Sequence, residues 1–182
     1  MKKIFLIIIL FFFTIETFAS NKEIIIKNLK NINNISFNFE QNINGKIEKG
    51  TCTIFYPKKI YCKYNLGNQK ILVSNGKSLV IKTTSSYYLY PLEKTSLNLI
   101  LDKEFLIHKI KNLNPRIVKN RFINFSFIEN DNEINIFFDK KNYNLMGWQT
   151  LDIYQNLSIT FLSSIIKNKD FDENIFRLPK QN

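Results

Sequence analysis

The chain has 182 residues, 45% of them hydrophobic and 14% aromatic, with 26 Lys and Arg against 15 Asp and Glu and a formal net charge of +11. That length fits one domain with a sizeable core and leaves no room for a second. The basic residues are scattered rather than gathered in one block, which argues against a nucleic-acid partner, and a single His with two Cys supplies no zinc-type ligand set.

The N-terminus has the layout of a secretory signal peptide. Lys2 and Lys3 precede an apolar run at 4–13, and Thr17-Phe18-Ala19 places small residues at the −3 and −1 positions. Cleavage is expected after Ala19, giving a signal peptide over 1–19 and one domain over 20–182. A membrane anchor is the competing reading, but a spanning helix needs about 20 apolar residues and this run has about ten. No cysteine occurs before Cys52, so none stands at the junction for lipid attachment. The expected product is soluble and exported to a periplasm. It carries +10 once Lys2, Lys3 and Glu16 are removed.

Residues 23–34 read as an amphipathic helix, because Ile25, Ile26, Leu29 and Ile32 recur at spacings of three and four. The period then changes to two: Ile35, Phe37 and Phe39 alternate with Ser36, Asn38 and Glu40, predicting a strand. A hairpin follows over 50–64, two apolar and aromatic runs broken by Pro57-Lys58-Lys59. Alternation puts Cys52, Ile54, Tyr56, Ile60, Cys62 and Tyr64 on one apolar face. If paired residue numbers sum to 114, Cys52 lies opposite Cys62 at a separation a disulfide spans. In an oxidising compartment the two can bond; the alternative is a pair of buried free thiols.

Strands are predicted at 69–74 and 78–83 around the tight turn Ser74-Asn75-Gly76-Lys77, and at 87–90. After Pro91, Thr95 or Ser96 caps a helix through Leu97, Ile100 and Leu101, which 105–110 continues up to Pro115. Strands resume at 121–129, 133–138, 145–154 and 158–166, with a last short one at 171–178. Strands joined in sequence by short turns form a meander. The expected fold is therefore α+β and mainly antiparallel β: an open half-barrel, or incomplete β-barrel, with helices lidding its concave apolar face.

Catalytic chemistry is missing from this pattern. His108 sits in the apolar stretch Phe105-Leu106-Ile107-His108 and reads as a structural histidine. No Gly-rich phosphate loop is present. The carboxylates Asp102, Glu104, Glu129, Asp131 and Glu133 read as solvated charge beside turns. No cofactor, metal or enzymatic activity is expected, and binding is the default.

Several motifs, in order, resemble the periplasmic outer-membrane lipoprotein carriers, the LolA family. They are Phe37-Asn38-Phe39-Glu40-Gln41, Gly50-Thr51-Cys52 leading to Tyr56-Pro57, and Val73-Ser74-Asn75-Gly76-Lys77-Ser78-Leu79. Then come Tyr90-Pro91-Leu92 with Ser96-Leu97-Asn98-Leu99-Ile100-Leu101, Gln149-Thr150-Leu151-Asp152-Ile153, and Phe176-Arg177-Leu178-Pro179. The resemblance implies a monomeric carrier that takes lipoproteins by their acyl chains from an inner-membrane ABC transporter to an outer-membrane acceptor. On that basis Phe37, Phe39, Ile54, Tyr56, Ile60 and Tyr64, with Leu97, Ile100 and Leu101 from the lid, are the candidate acyl-chain contacts. Family members often carry Arg before the hairpin proline, where it is tied to cargo handover. Tyr56 stands there instead, so the closed lid is expected to depend on ring packing. Two further readings remain: a carrier of another lipid, and a periplasmic lipid- or lipoprotein-sensing regulator on the same fold.

Overall fold

The computed structural model describes residues 20–129 and 131–181. The expected signal peptide lies outside them, up to its last residue. Ser20 opens helix α1 (Asn21–Lys30) through a capping box: its Oγ accepts from the Glu23 amide, and the Glu23 carboxylate accepts from the Ser20 amide. Ile25 and Leu29 are buried on one face of α1. The helix stops at Lys30, four residues short of the predicted end, and Ile32 is buried beyond its end.

Eleven strands form one antiparallel sheet. They are β1 (Asn34–Ile43), β2 (Lys46–Phe55), β3 (Lys59–Tyr64), β4 (Ile71–Asn75), β5 (Ser78–Lys82), β6 (Tyr87–Pro91), β7 (Arg116–Val118), β8 (Phe122–Glu129), β9 (Asn132–Asp139), β10 (Leu145–Leu151) and β11 (Leu157–Lys167). Their order is β6-β5-β4-β3-β2-β1-β11-β10-β9-β8-β7. Two meanders thus meet at one seam, where β1 pairs with β11. The sheet does not close: β6 and β7 remain edges. Bulges between Ser36 and Asn38 and between Leu145 and Gly147 add to its curvature.

The hairpin has the predicted register, with Cys52 opposite Cys62 and Ile54 opposite Ile60. At the next turn Gly76 and Lys77 form the two-residue loop. Gly76 takes φ +98°, and the Asn75 side chain accepts from the Lys77 and Ser78 amides, 3.0 Å each.

The helical insert joins the two edge strands and lies over the concave face. It differs from the predicted single helix. A 3-10 turn (Leu92–Lys94) leads into α2 (Leu97–Ile100), and the chain breaks before α3 (Lys103–Asn112). Neither predicted cap serves α2: Ser96 stands at the cap position without a side-chain bond, and the Thr95 hydroxyl donates to the Leu92 carbonyl at 2.8 Å. Asp102 causes the break, since its carboxylate caps α3 by accepting from the Phe105 amide at 3.0 Å. It is therefore a structural group rather than solvated charge.

The predicted strand at 171–178 is instead a 3-10 turn (Glu173–Phe176), begun by Asp172, whose side chain accepts from the Asn174 amide. Phe171 and Phe176 pack on Phe55, on the convex side of the hairpin, with ring centroids 5.4 and 6.2 Å away. His108 is exposed on the outer side of α3, while Leu106, Ile107 and Ile110 face the sheet. The apolar stretch around it thus faces the sheet without it.

Candidate functional site

Between the sheet and the start of the lid lies a cavity of about 160 Å³. It runs from buried Phe37 and the Cys52–Cys62 disulfide out to exposed Tyr154 on the β10–β11 turn. Strand alternation builds its inner wall. Gly50 makes the tightest packing possible: it lies opposite both Phe39 and Tyr64, whose rings meet edge to face with centroids 4.9 Å apart. A side chain at Gly50 would collide with the Lys63 carbonyl and come within 2.8 Å of the Phe39 ring. Phe37 packs edge-on against Trp148, 6.3 Å away.

Of the nine predicted contact residues, Phe37, Phe39, Ile60, Tyr64 and Leu97 stand on the cavity wall. Ile54, Tyr56, Ile100 and Leu101 do not; Ile54 and Tyr56 from the hairpin and Ile100 and Leu101 from the lid are buried in the same apolar cluster. The two sets are part of one continuous apolar cluster.

Sequence reasoning missed Trp148, Leu72, Leu79 and Ile81 on this wall, although the period-two pattern of their strands carries the signal. It also missed a polar strip on three adjacent strands: Gln41 on β1, Ser158 and Thr160 on β11, and Thr150 on β10. Gln41 Nε2 donates to Ser158 Oγ at 2.9 Å, and the Tyr64 hydroxyl donates to Gln41 Oε1 at 3.4 Å.

Charge at the site is internally paired. Glu48 is 3% exposed and is held by Lys70 at 2.5 Å and Lys46 at 3.0 Å. Burial alone would raise its pKa, but the two ammonium groups outweigh that and hold the carboxyl below the usual range. The Lys70 ammonium also lies 4.2 Å from the centre of the Tyr64 ring. Burial, with the nearby Glu48 charge, pushes the Tyr64 hydroxyl well above the usual tyrosine pKa.

Cations fasten the lid from several sides. In the β2–β3 turn, the Lys58 amide donates to the Leu101 carbonyl at 2.9 Å, and its ammonium pairs with Asp102 at 3.3 Å. Lys103 donates to the Ile32 carbonyl at 2.8 Å. Lys22 on α1 reaches the carbonyls of Lys111 and Leu113 at the end of α3, and Lys109 pairs with Glu129 at 2.7 Å. Tyr56 is buried in the same apolar cluster as Ile100 and Leu101, with Lys103 5.8 Å from its ring centre. A polar link from hairpin to lid is thus made by Lys58, two residues beyond Tyr56.

Among the described residues no cluster of His, Cys, Asp and Glu could hold a metal, and no helix is long and apolar enough to cross a membrane.

A family model described as outer membrane lipoprotein carrier protein LolA matches residues 17–179. No curated protein matches the sequence. Among solved structures, a LolA superfamily protein from Nitrosomonas europaea is 8% identical with a TM-score of 0.44, covering 88% of this chain and 99% of that one. The lipoprotein LppX of Mycobacterium tuberculosis is 8% identical with a TM-score of 0.46, covering 84% and 96%. MucB, also seen with MucA from Pseudomonas aeruginosa, is 11% identical with a TM-score of 0.50. The match spans 88% of this chain and 62% of MucB, and at that identity it is a likeness of fold alone.

Proposed function

Because the chain belongs to the outer membrane lipoprotein carrier (LolA) family, we propose that it is a periplasmic carrier that shields the acyl chains of lipoproteins between the inner and outer membranes. On this reading residues 1–19 direct export and are removed. The mature domain receives cargo from an inner-membrane transporter and yields it to an outer-membrane acceptor.

The observation that carries the proposal is a largely apolar cavity partly covered by a helical insert whose chain connects the two edge strands of an open sheet. Exposing an acyl chain to water costs about 0.8 kcal/mol per CH₂, so a carrier must cover the chain throughout transit. Yet the closed cavity, at about 160 Å³, is near the size that holds one benzene in an engineered protein core. A long chain enters only if the lid lifts. The bonds that fasten the lid suit that motion. Two of them, Lys58–Asp102 and Lys109–Glu129, are partly exposed ion pairs, and pairs of that kind are worth about 0.2–1 kcal/mol each. Ile54 and Tyr56 on the hairpin and Ile100 and Leu101 on the lid are buried in one cluster, apolar surface that cargo would cover once the lid lifts.

Photo-crosslinking tests this. A crosslinker at Ile60, on the wall, should capture lipoprotein, whereas one at Lys63, exposed on the opposite face of the same strand, should not. Capture from Lys63 alone would overturn the assignment of faces. Depleting the protein should strand lipoproteins at the inner membrane; normal sorting after depletion would overturn the delivery role.

A further inference from the structure

One polar group on the cavity wall has no partner. Thr160 is 4% exposed and lines the cavity, and its Oγ1 makes no hydrogen bond. Buried hydroxyls are rarely left in that condition, because they have given up water and gained nothing. The register explains its surroundings. Thr160 pairs with Gln41 on one side and Trp148 on the other, and Ser158 pairs with Thr150. Further along β1 and β11 the same face carries Phe39 opposite Leu162. The wall therefore changes from apolar at its buried end to polar toward Tyr154.

A ligand that matches this wall has an apolar tail and a polar group at its outer end. The neighbouring charges indicate which polar group. Lys70, the cation on the wall, is engaged by Glu48. Asp152 is turned onto its own loop, where it accepts from the Tyr154 and Asn156 amides. A carboxylate or phosphate would find no free cation among the described residues of the wall and would lie near Asp152. An uncharged acceptor suits a lone hydroxyl beside an amide.

We propose that Thr160 donates to the ester carbonyl at the head of an acyl chain, fixing the chain with its linkage at the polar strip and its tail toward Phe37. The inference rests on the lipid-carrier reading and adds to it a register. The cavity would then recognise the place where a chain joins its glyceryl group as well as the hydrocarbon itself.

The test compares two soluble lipopeptides that differ only in that linkage: a cysteinyl peptide bearing a diacylglyceryl group with palmitoyl esters, and its dihexadecyl ether analogue without carbonyls. Trp148 is the one tryptophan of the chain and lies opposite Thr160, so its fluorescence reports binding. The parent should bind the ester about 3- to 10-fold more tightly than the ether, the ratio expected for one net hydrogen bond. Thr160→Val should bind the ether like the parent and lose the preference, and Thr160→Ser should keep it. Equal binding of both lipopeptides by the parent would overturn the proposal and assign the hydroxyl to water. A preference that survives in Thr160→Val would also overturn it. If neither lipopeptide binds, the carrier reading fails together with this inference.

Discussion

Asp102 performs two tasks that substitution can separate. Its carboxylate caps α3 through the Phe105 amide and pairs with Lys58 across to the hairpin turn. Loss of an N-cap costs about 1 kcal/mol, within a range of roughly 0.5–2. The ion pair joins side chains that are 29% and 35% exposed, so solvent limits it to about 0.2–1 kcal/mol. Asp102→Ala removes both and should destabilise the protein by about 1–2.5 kcal/mol. Asp102→Asn keeps an equally good cap and loses only the pair, so its cost should stay below about 1 kcal/mol. Urea unfolding gives the totals, and hydrogen exchange at the Phe105 amide localises them: fast in the Ala variant, near the parent rate in the Asn variant. If the Asn variant loses as much as the Ala variant and exchanges as fast, the carboxylate does not cap the lid helix and the reasoning is refuted.

The Glu48 carboxyl titrates below its ordinary value in the folded protein because Lys70 and Lys46 outweigh burial. Its contribution to stability is therefore present above the unfolded pKa and is lost as pH falls through the lower folded value. Glu48→Gln should flatten the acid limb of stability measured from pH 7 to pH 3; an unchanged slope would show that other carboxyls govern it. Replacing Cys52 and Cys62 with Ala together should cost roughly 2–3 kcal/mol, from the loop-closure entropy of a bridge spanning ten residues. An unchanged unfolding midpoint, or two labelled thiols in the denatured, unreduced parent, would refute this.

What could be read from the sequence was local. Alternation through Cys52, Ile54, Ile60 and Cys62 located the hairpin, its buried face and its register, because a strand with one buried face tolerates no slip. The open, lidded sheet followed from counting strands and helices. Other elements were set by longer-range effects. Residues 97–110 look like one apolar run, and only the Asp102 cap shows that two helices meet there. Phe171 and Phe176 are strand-forming residues, yet a 3-10 turn presents both to Phe55. Strand β7 (Arg116–Val118) has three residues and two exposed side chains, too little for any pattern. The polar strip was hidden for a different reason. Thr150, Ser158 and Thr160 alternate like outward-facing residues, and their burial follows from curvature of the sheet and from a lid distant in sequence.

The seam between β1 and β11 also bears on how the chain reaches this state. Ser36 pairs with Ile166, and Ile43 with Ser158, so the central contact of the sheet joins residues more than a hundred positions apart. Contacts of such high order demand loop closure before they return any stability, and they slow folding. As the chain is delivered N-terminus first, β1 can pair with β2 at once but must wait for nearly the whole chain before its other edge is filled. During that interval Phe37 and Phe39 lie on an open strand edge, the kind of edge on which chains aggregate. A chain ending before Leu157 would keep that edge permanently, with β10 as a second one. Sequence near the C-terminus therefore protects the first strand from association.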